Sequence, residues 1–150
     1  MKIKFLFLSL ICFVLTMFYA CGKEKDAESA EYDALESYLA KFGDTCVVQD
    51  TLGIYLYVAV SGETNYSNGD VVNISFTGQT LENVVTFAQE STMQVVYGQN
   101  SLIKGWQIAL SLLKKGSSGI LIVPYDMGYG KSRQGVIEPY STLVYSFTVN

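Results

Sequence analysis

One strong helical stripe set among segments of period two limits the folds open to this chain. Between Leu102 and Lys115, Ile103, Trp106, Leu110 and Leu113 fall at helical spacing, and Leu102, Ala109 and Leu112 widen the apolar face. Asn100 or Ser101 stands where a cap belongs, Lys114 and Lys115 sit at the negative end of the helix dipole, and Gly116 supplies a stop. Gly105 inside this helix costs about 1 kcal/mol relative to alanine. That cost makes sense where another element must approach the first turn closely.

The period-two segments lie on both sides of this helix. Gly53–Ser61 is rich in β-branched and aromatic residues, and Gly62–Gly69, with Asn65 and Asn68-Gly69, has turn chemistry. Val71–Thr77 alternates, with Val72, Ile74 and Phe76 on one face and Val71, Asn73 and Ser75 on the other. Ile120–Val123 reads as a short apolar strand, and Pro124–Glu138 as a long loop containing Gly128, Gly130 and Gly135. Thr142–Val149 closes the chain, with Leu143, Tyr145 and Phe147 alternating against Val144, Ser146 and Thr148. Several antiparallel strands and one central helix, without βαβ alternation, define an α+β fold. The expected architecture is a curved antiparallel sheet, a half-barrel, wrapped over the Leu102–Leu113 helix, with a short N-terminal helix added. At 150 residues and 49% apolar content, one domain with a full core is expected.

The first twenty residues read as an address. Lys2 and Lys4 precede an apolar run from Phe5 to Tyr19 that ends at Ala20-Cys21, too short for a convincing spanning helix and fitting a secretory signal. Alanine directly before cysteine fits the lipoprotein variant, with Phe18 where leucine is usual. Cys21 would then carry lipid and become the mature N-terminus, holding the chain to a membrane. An uncleaved anchor with an incidental cysteine is the alternative. By resemblance to bacterial lipoproteins, Gly22 after the cysteine points to the outer membrane of the cell envelope. Residues 21–30 are charged and lack large apolar groups, so they read as a flexible tether. Residues 31–52 form a helical extension and linker, with Leu35, Tyr38, Leu39 and Phe42 at helical spacing before Gly43. The domain proper occupies 53–150. Cys46 remains as a lone thiol with no partner for an internal disulfide, and reads as a small, semi-buried residue.

Composition closes off most catalytic chemistry. The chain has no histidine, which excludes Ser-His-Asp and Cys-His catalysis and any histidine-bound metal. No metal or cofactor is expected. Ten basic against 14 acidic residues give a net charge of −4, without a basic cluster to neutralise phosphates, so nucleic acid is an unsuitable partner. Whatever reaction occurs here needs very little ionisable equipment.

Three separated motifs carry a family resemblance. They are Val71-Val72-Asn73-Ile74-Ser75-Phe76-Thr77-Gly78 followed by Phe87, then Ser101-Leu102-Ile103-Lys104-Gly105-Trp106-Gln107, and finally Ile122-Val123-Pro124 through Gly128-Tyr129-Gly130 to Ser141-Thr142-Leu143-Val144-Tyr145. In this order and spacing the set resembles the FKBP-type peptidyl-prolyl cis-trans isomerases over about 55–150. The Glu31–Phe42 helix also resembles the N-terminal extension of secreted bacterial members.

The resemblance implies an isomerase acting on X-Pro bonds of exported polypeptides, with Trp106 as the floor under the proline ring and Phe76, Phe87, Leu102 and Tyr145 as walls. Met93 falls where the family often has another aromatic. Ile103 would offer its backbone N–H, and Tyr129 its hydroxyl, to substrate carbonyls. Rotation about X-Pro makes and breaks no covalent bond, so it is compatible with a chain that has so few catalytic groups. The departures bear on activity. Ala88 replaces the usual acidic residue after Phe87, the turn Gln79–Thr86 lacks its usual glycine, and Glu138 replaces the first of two prolines. A non-catalytic proline-binding or chaperone lipoprotein on the same fold is the alternative reading.

Overall fold

The computed structural model describes residues 26–42, 47–49, 52–99 and 101–150. The signal segment 1–20, Cys21 and Cys46 lie outside them. Residues 26–39 form helix α1. The strands follow as β1 (Val47–Gln49), β2 (Ile54–Val60), β3 (Val71–Thr80) and β4 (Thr86–Val96). Helix α2 (Lys104–Leu112), β5 (Ser118–Val123) and β6 (Leu143–Val149) complete the order. All pairings are antiparallel, in the order β1-β2-β5-β6-β3-β4.

Alternation along the strands separates the two faces of this sheet. Ile54 and Leu56, Val72 and Ile74, Leu121 and Val123, and Leu143, Tyr145, Phe147 and Val149 enter one core with Trp106, Ala109, Leu110 and Leu113 of the α2 segment. The intervening Ile122 and Val144 face the other way, and Leu35 of α1 buries against them with Tyr38, Leu39, Tyr55 and Leu81 around it. The N-terminal helix thus packs on the domain itself. Burying one leucine in this way stabilises by about 1.5–3 kcal/mol.

Several boundaries differ from the sequence reading. Residues 26–30 belong to α1 rather than to a free tether, and Glu28 and Glu31 bind the domain through Tyr125 and Thr142. The helix ends at 39 and turns through 40–42. Helix α2 is shorter at both ends than Leu102–Lys115. Ile103, with φ −57° and ψ 152°, is its N-cap, and no side chain caps it, so Ser101 does not serve; Asn100 lies outside the described residues. Leu113 is already extended at φ −90° and ψ 150°. Lys114 and Lys115 therefore lie past the helix end, where Lys115 pairs with Asp70 at 2.8 Å instead of completing the dipole.

Strand β4 is absent from the sequence reading, because 86–96 lacks a sustained apolar alternation. It pairs with β3 along its length, and the register shifts on both sides of Gly78. In the turn that leads into it, Val84 takes a left-handed φ of 50° where glycine would be unstrained.

Candidate functional site

The concave face of the sheet and the first turn of α2 converge on one place. Phe76 follows Val72 and Ile74 on the core side of β3, and Tyr145 lies between Leu143 and Phe147 on β6. Gly78 pairs with Ala88 on one side and Tyr145 on the other. A Cβ at Gly78 would stand 2.5 Å from the Phe87 ring. The missing side chain therefore lets Phe87 fold across β3 onto Tyr145.

Helix α2 is seated by a similar device. A Cβ at Gly105 would stand 2.5 Å from Val123 Cγ1, so the first turn lies directly on β5, as its presence in the sequence suggested. This close approach puts the Trp106 indole in the middle of the concave face, only 2% exposed. The Gln107 side chain donates to the Leu102 carbonyl at 2.6 Å and braces the segment that carries Leu102 and Ile103.

These elements enclose an open pocket of about 400 Å³, lined by Phe76, Phe87, Ala88, Met93, Ser101, Leu102, Ile103, Trp106, Tyr129 and Tyr145. All eight residues that the sequence placed at the site within the domain meet here. Cys21, the expected lipid site, lies outside the described residues. Ser101 opens the second motif and stands at a cap position, but neither signal marks it as part of the wall. The supporting role of Gly78 was equally hidden, because a glycine in a strand motif does not say which ring crosses it.

The rings pack edge to face. Tyr145 is the hub, with centroids 5.6 Å from Phe76, 5.6 Å from Phe87 and 5.3 Å from Trp106, at interplanar angles of 67–78°. Phe147 supports Trp106 from beneath at 5.6 Å. Such contacts fix the walls in place before any ligand arrives.

The pocket is uncharged. Burial pushes the Tyr145 phenol well above the usual tyrosine range, the nearby Tyr129 adds to this, and the Trp106 indole opposes it slightly. The buried indole N–H has no hydrogen-bond partner among the described residues. Tyr129, 39% exposed, stands at the rim, and its hydroxyl has no protein partner among the described residues. The Ile103 carbonyl accepts from Trp106 and Gln107 at the helix start, while its N–H is taken by no acceptor among the described residues. Those residues contain no group of acidic or thiol side chains placed to hold a metal ion. The arrangement offers an apolar slot with two polar groups at its edge.

A half-barrel closed over one helix, with an uncharged aromatic pocket at the helix start, defines a small binding fold without acid–base machinery. The sequence profile of the FKBP-type peptidyl-prolyl cis-trans isomerases matches residues 62–150. The chain belongs to that family. It is 32% identical over 122 residues to a probable FKBP-type peptidyl-prolyl cis-trans isomerase of Haemophilus influenzae, a match covering 79% of this chain and 50% of that protein. It is 37% identical over 89 residues to FK506-binding protein 1 of Saccharomyces cerevisiae, covering 56% of this chain and 77% of that one. The chain thus spans half the length of its Haemophilus relative. The crystal structure of FkpA from Escherichia coli shares the fold, with a TM-score of 0.70 at 24% identity over 93% of this chain and 70% of that one.

Proposed function

We propose that this chain accelerates cis-trans isomerisation of X-Pro bonds in exported polypeptides, using the aromatic pocket as its only catalytic equipment. The barrier to rotation is about 18–20 kcal/mol and the uncatalysed reaction takes tens of seconds. At the top of the barrier the amide is twisted, its resonance is lost and its carbonyl and nitrogen are less polar. An apolar pocket solvates that twisted state better than water does, relative to the planar ground state, and the difference lowers the barrier. A thousandfold acceleration requires only about 4 kcal/mol.

Each residue has a place in this mechanism. Trp106 forms the floor under the proline ring, and Phe76, Phe87, Leu102, Met93 and Tyr145 form the walls. The Ile103 N–H and the Tyr129 hydroxyl each offer a hydrogen bond to a substrate carbonyl and so orient the peptide in the pocket. The observation that carries the reading is that these side chains, distant in sequence, line one open pocket that the β3–β4 turn leaves unfilled.

Cys21 serves as the lipid attachment point that keeps the domain at the bacterial cell envelope, on the outer membrane, where exported chains fold. Its support is the basic start, apolar run and Ala20-Cys21 junction of the sequence. Labelling cells with a radioactive fatty acid tests it: label on the wild type and none on Cys21→Ser is expected.

Ala88 favours a second reading. It lines the pocket where the resemblance calls for an acidic residue, so the pocket could hold proline without accelerating its rotation. Measuring relaxation of short X-Pro peptides alongside suppression of client aggregation separates the two. An isomerase loses its rate enhancement on Phe87→Ala. A pure binder shows no enhancement to lose but still suppresses aggregation through the same pocket.

A further inference from the structure

Helix α1 places two carboxylates, three residues apart, on the two ends of the loop that carries Tyr129. Glu28 accepts a hydrogen bond from the Tyr125 hydroxyl at 2.5 Å, just after the loop leaves β5. Glu31, 3% exposed, accepts from the backbone N–H of Thr142, itself 1% exposed, just before the loop enters β6. Residues at this spacing on a helix share a face. The contact continues through rings: Tyr32 meets Tyr125 edge-on at 6.3 Å, and Tyr125 packs on Tyr140 at 5.2 Å.

From Tyr125 the constraint reaches the pocket through the backbone. The Tyr125 carbonyl accepts from Gly130 N–H at 2.8 Å, and the Gly130 carbonyl accepts from Tyr140 N–H at 2.9 Å. Tyr129 lies directly before Gly130, so fixing Tyr125 fixes the turn from which Tyr129 reaches the pocket rim. Helix α1 lies outside residues 62–150, the segment matched by the family profile.

We infer that Glu28 and Glu31 are positioning residues for substrate binding: α1 is a clamp on both ends of the Tyr125–Thr142 segment, and it holds the Tyr129 hydroxyl where a substrate carbonyl meets it. The inference rests on the proposed role of the pocket for its effect on substrate, but the clamp itself is a property of the loop. Burial of the Glu31 carboxylate beside Glu82 raises its pKa, opposed by the Thr142 N–H. The bond to Thr142 thus offsets part of the cost of burying that charge.

Amide exchange and peptide kinetics on the full-length chain test this. Removing both carboxylates (Glu28→Ala with Glu31→Ala) is expected to speed exchange of the Gly130 and Tyr140 amides by about tenfold or more, the scale of losing one hydrogen bond to a charged group. Core amides of β6 should stay protected. KM for a short X-Pro peptide should rise while kcat changes little. Adding Tyr129→Phe to the double variant should raise KM no further, because both changes remove the same contact. Glu31→Gln, which keeps an acceptor for Thr142, should restore protection at Tyr140, and Tyr125→Phe alone should reproduce the loosening at Gly130. Unchanged exchange at Gly130 and Tyr140 in the double variant overturns the clamp, as does a KM effect that simply adds to that of Tyr129→Phe. The exchange measurement does not depend on catalysis, so an inactive wild type whose loop loosens on cutting the clamp supports the clamp and sinks the isomerase reading alone.

Discussion

The Phe87 ring occupies the space where a side chain on Gly78 would be, 2.5 Å from the Cβ position. One wall of the pocket therefore exists because its neighbour across the ladder has no side chain. Gly78→Ala should push the ring out toward solvent. We expect a stability loss of about 1–3 kcal/mol, the usual cost of overpacking, together with a several-fold loss of X-Pro peptide affinity. Phe87→Ala in the same background should recover much of the stability and none of the affinity. Denaturant titration with peptide binding on the three variants checks this.

Gly105 inverts a general rule. Glycine to alanine inside a helix normally stabilises by about 1 kcal/mol, but here the new methyl would meet the wholly buried Val123 at 2.5 and 2.7 Å. Gly105→Ala should destabilise the domain, as read by its urea midpoint. Combined with Val123→Ala it should cost less than the two changes summed.

The antiparallel sheet, its two faces and the central helix were legible because period-two runs such as Leu143-Tyr145-Phe147 and the Ile103-Trp106-Leu110 stripe are long and unmixed. Strand β4 was not. Its middle, Ala88-Gln89-Glu90-Ser91-Thr92, has no apolar alternation, and its register shifts twice against β3. The ends of α2 are hard to read for a related reason: Leu102 and Leu113 fit the stripe, yet Leu102 precedes the N-cap Ile103 and Leu113 is already extended, at φ −90° and ψ 150°. The part of α1 within the expected tether was masked by its charges. Glu28 looks like a solvated residue until the loop brings Tyr125 to it, 97 positions later. Pocket residues were readable from the ordered motifs, whereas Gly78 and Ser101 acquire their roles only through what packs beside them.

Glu31 makes stability depend on pH. Burial raises its pKa in the folded chain above that of the unfolded one. Its contribution is therefore full below the ordinary glutamate range and is lost as pH rises through the elevated value. Glu31→Gln keeps the acceptor without the charge. Denaturation curves should show the variant gaining on the wild type from acid to neutral pH, and a gap constant across that range would contradict the assignment.

Catalysis should not share that dependence. The pocket lining holds no carboxylate, amine or imidazole, and Tyr145 is pushed further above its usual range. Below the pH where a tyrosine of ordinary pKa, about 10, would ionise, kcat/KM should be flat wherever the fold is intact. A bell-shaped profile would reveal an acid or base that the mechanism does not contain.

The most direct test of the account is exchange NMR on a short X-Pro peptide with catalytic amounts of the domain. Cis and trans resonances interconverting far faster than the uncatalysed tens of seconds, with the acceleration abolished by Phe87→Ala and retained in Glu31→Gln, is the predicted result. Interconversion at the uncatalysed rate, despite peptide shifts that prove binding, would contradict the isomerase reading and leave a proline-binding pocket without catalysis.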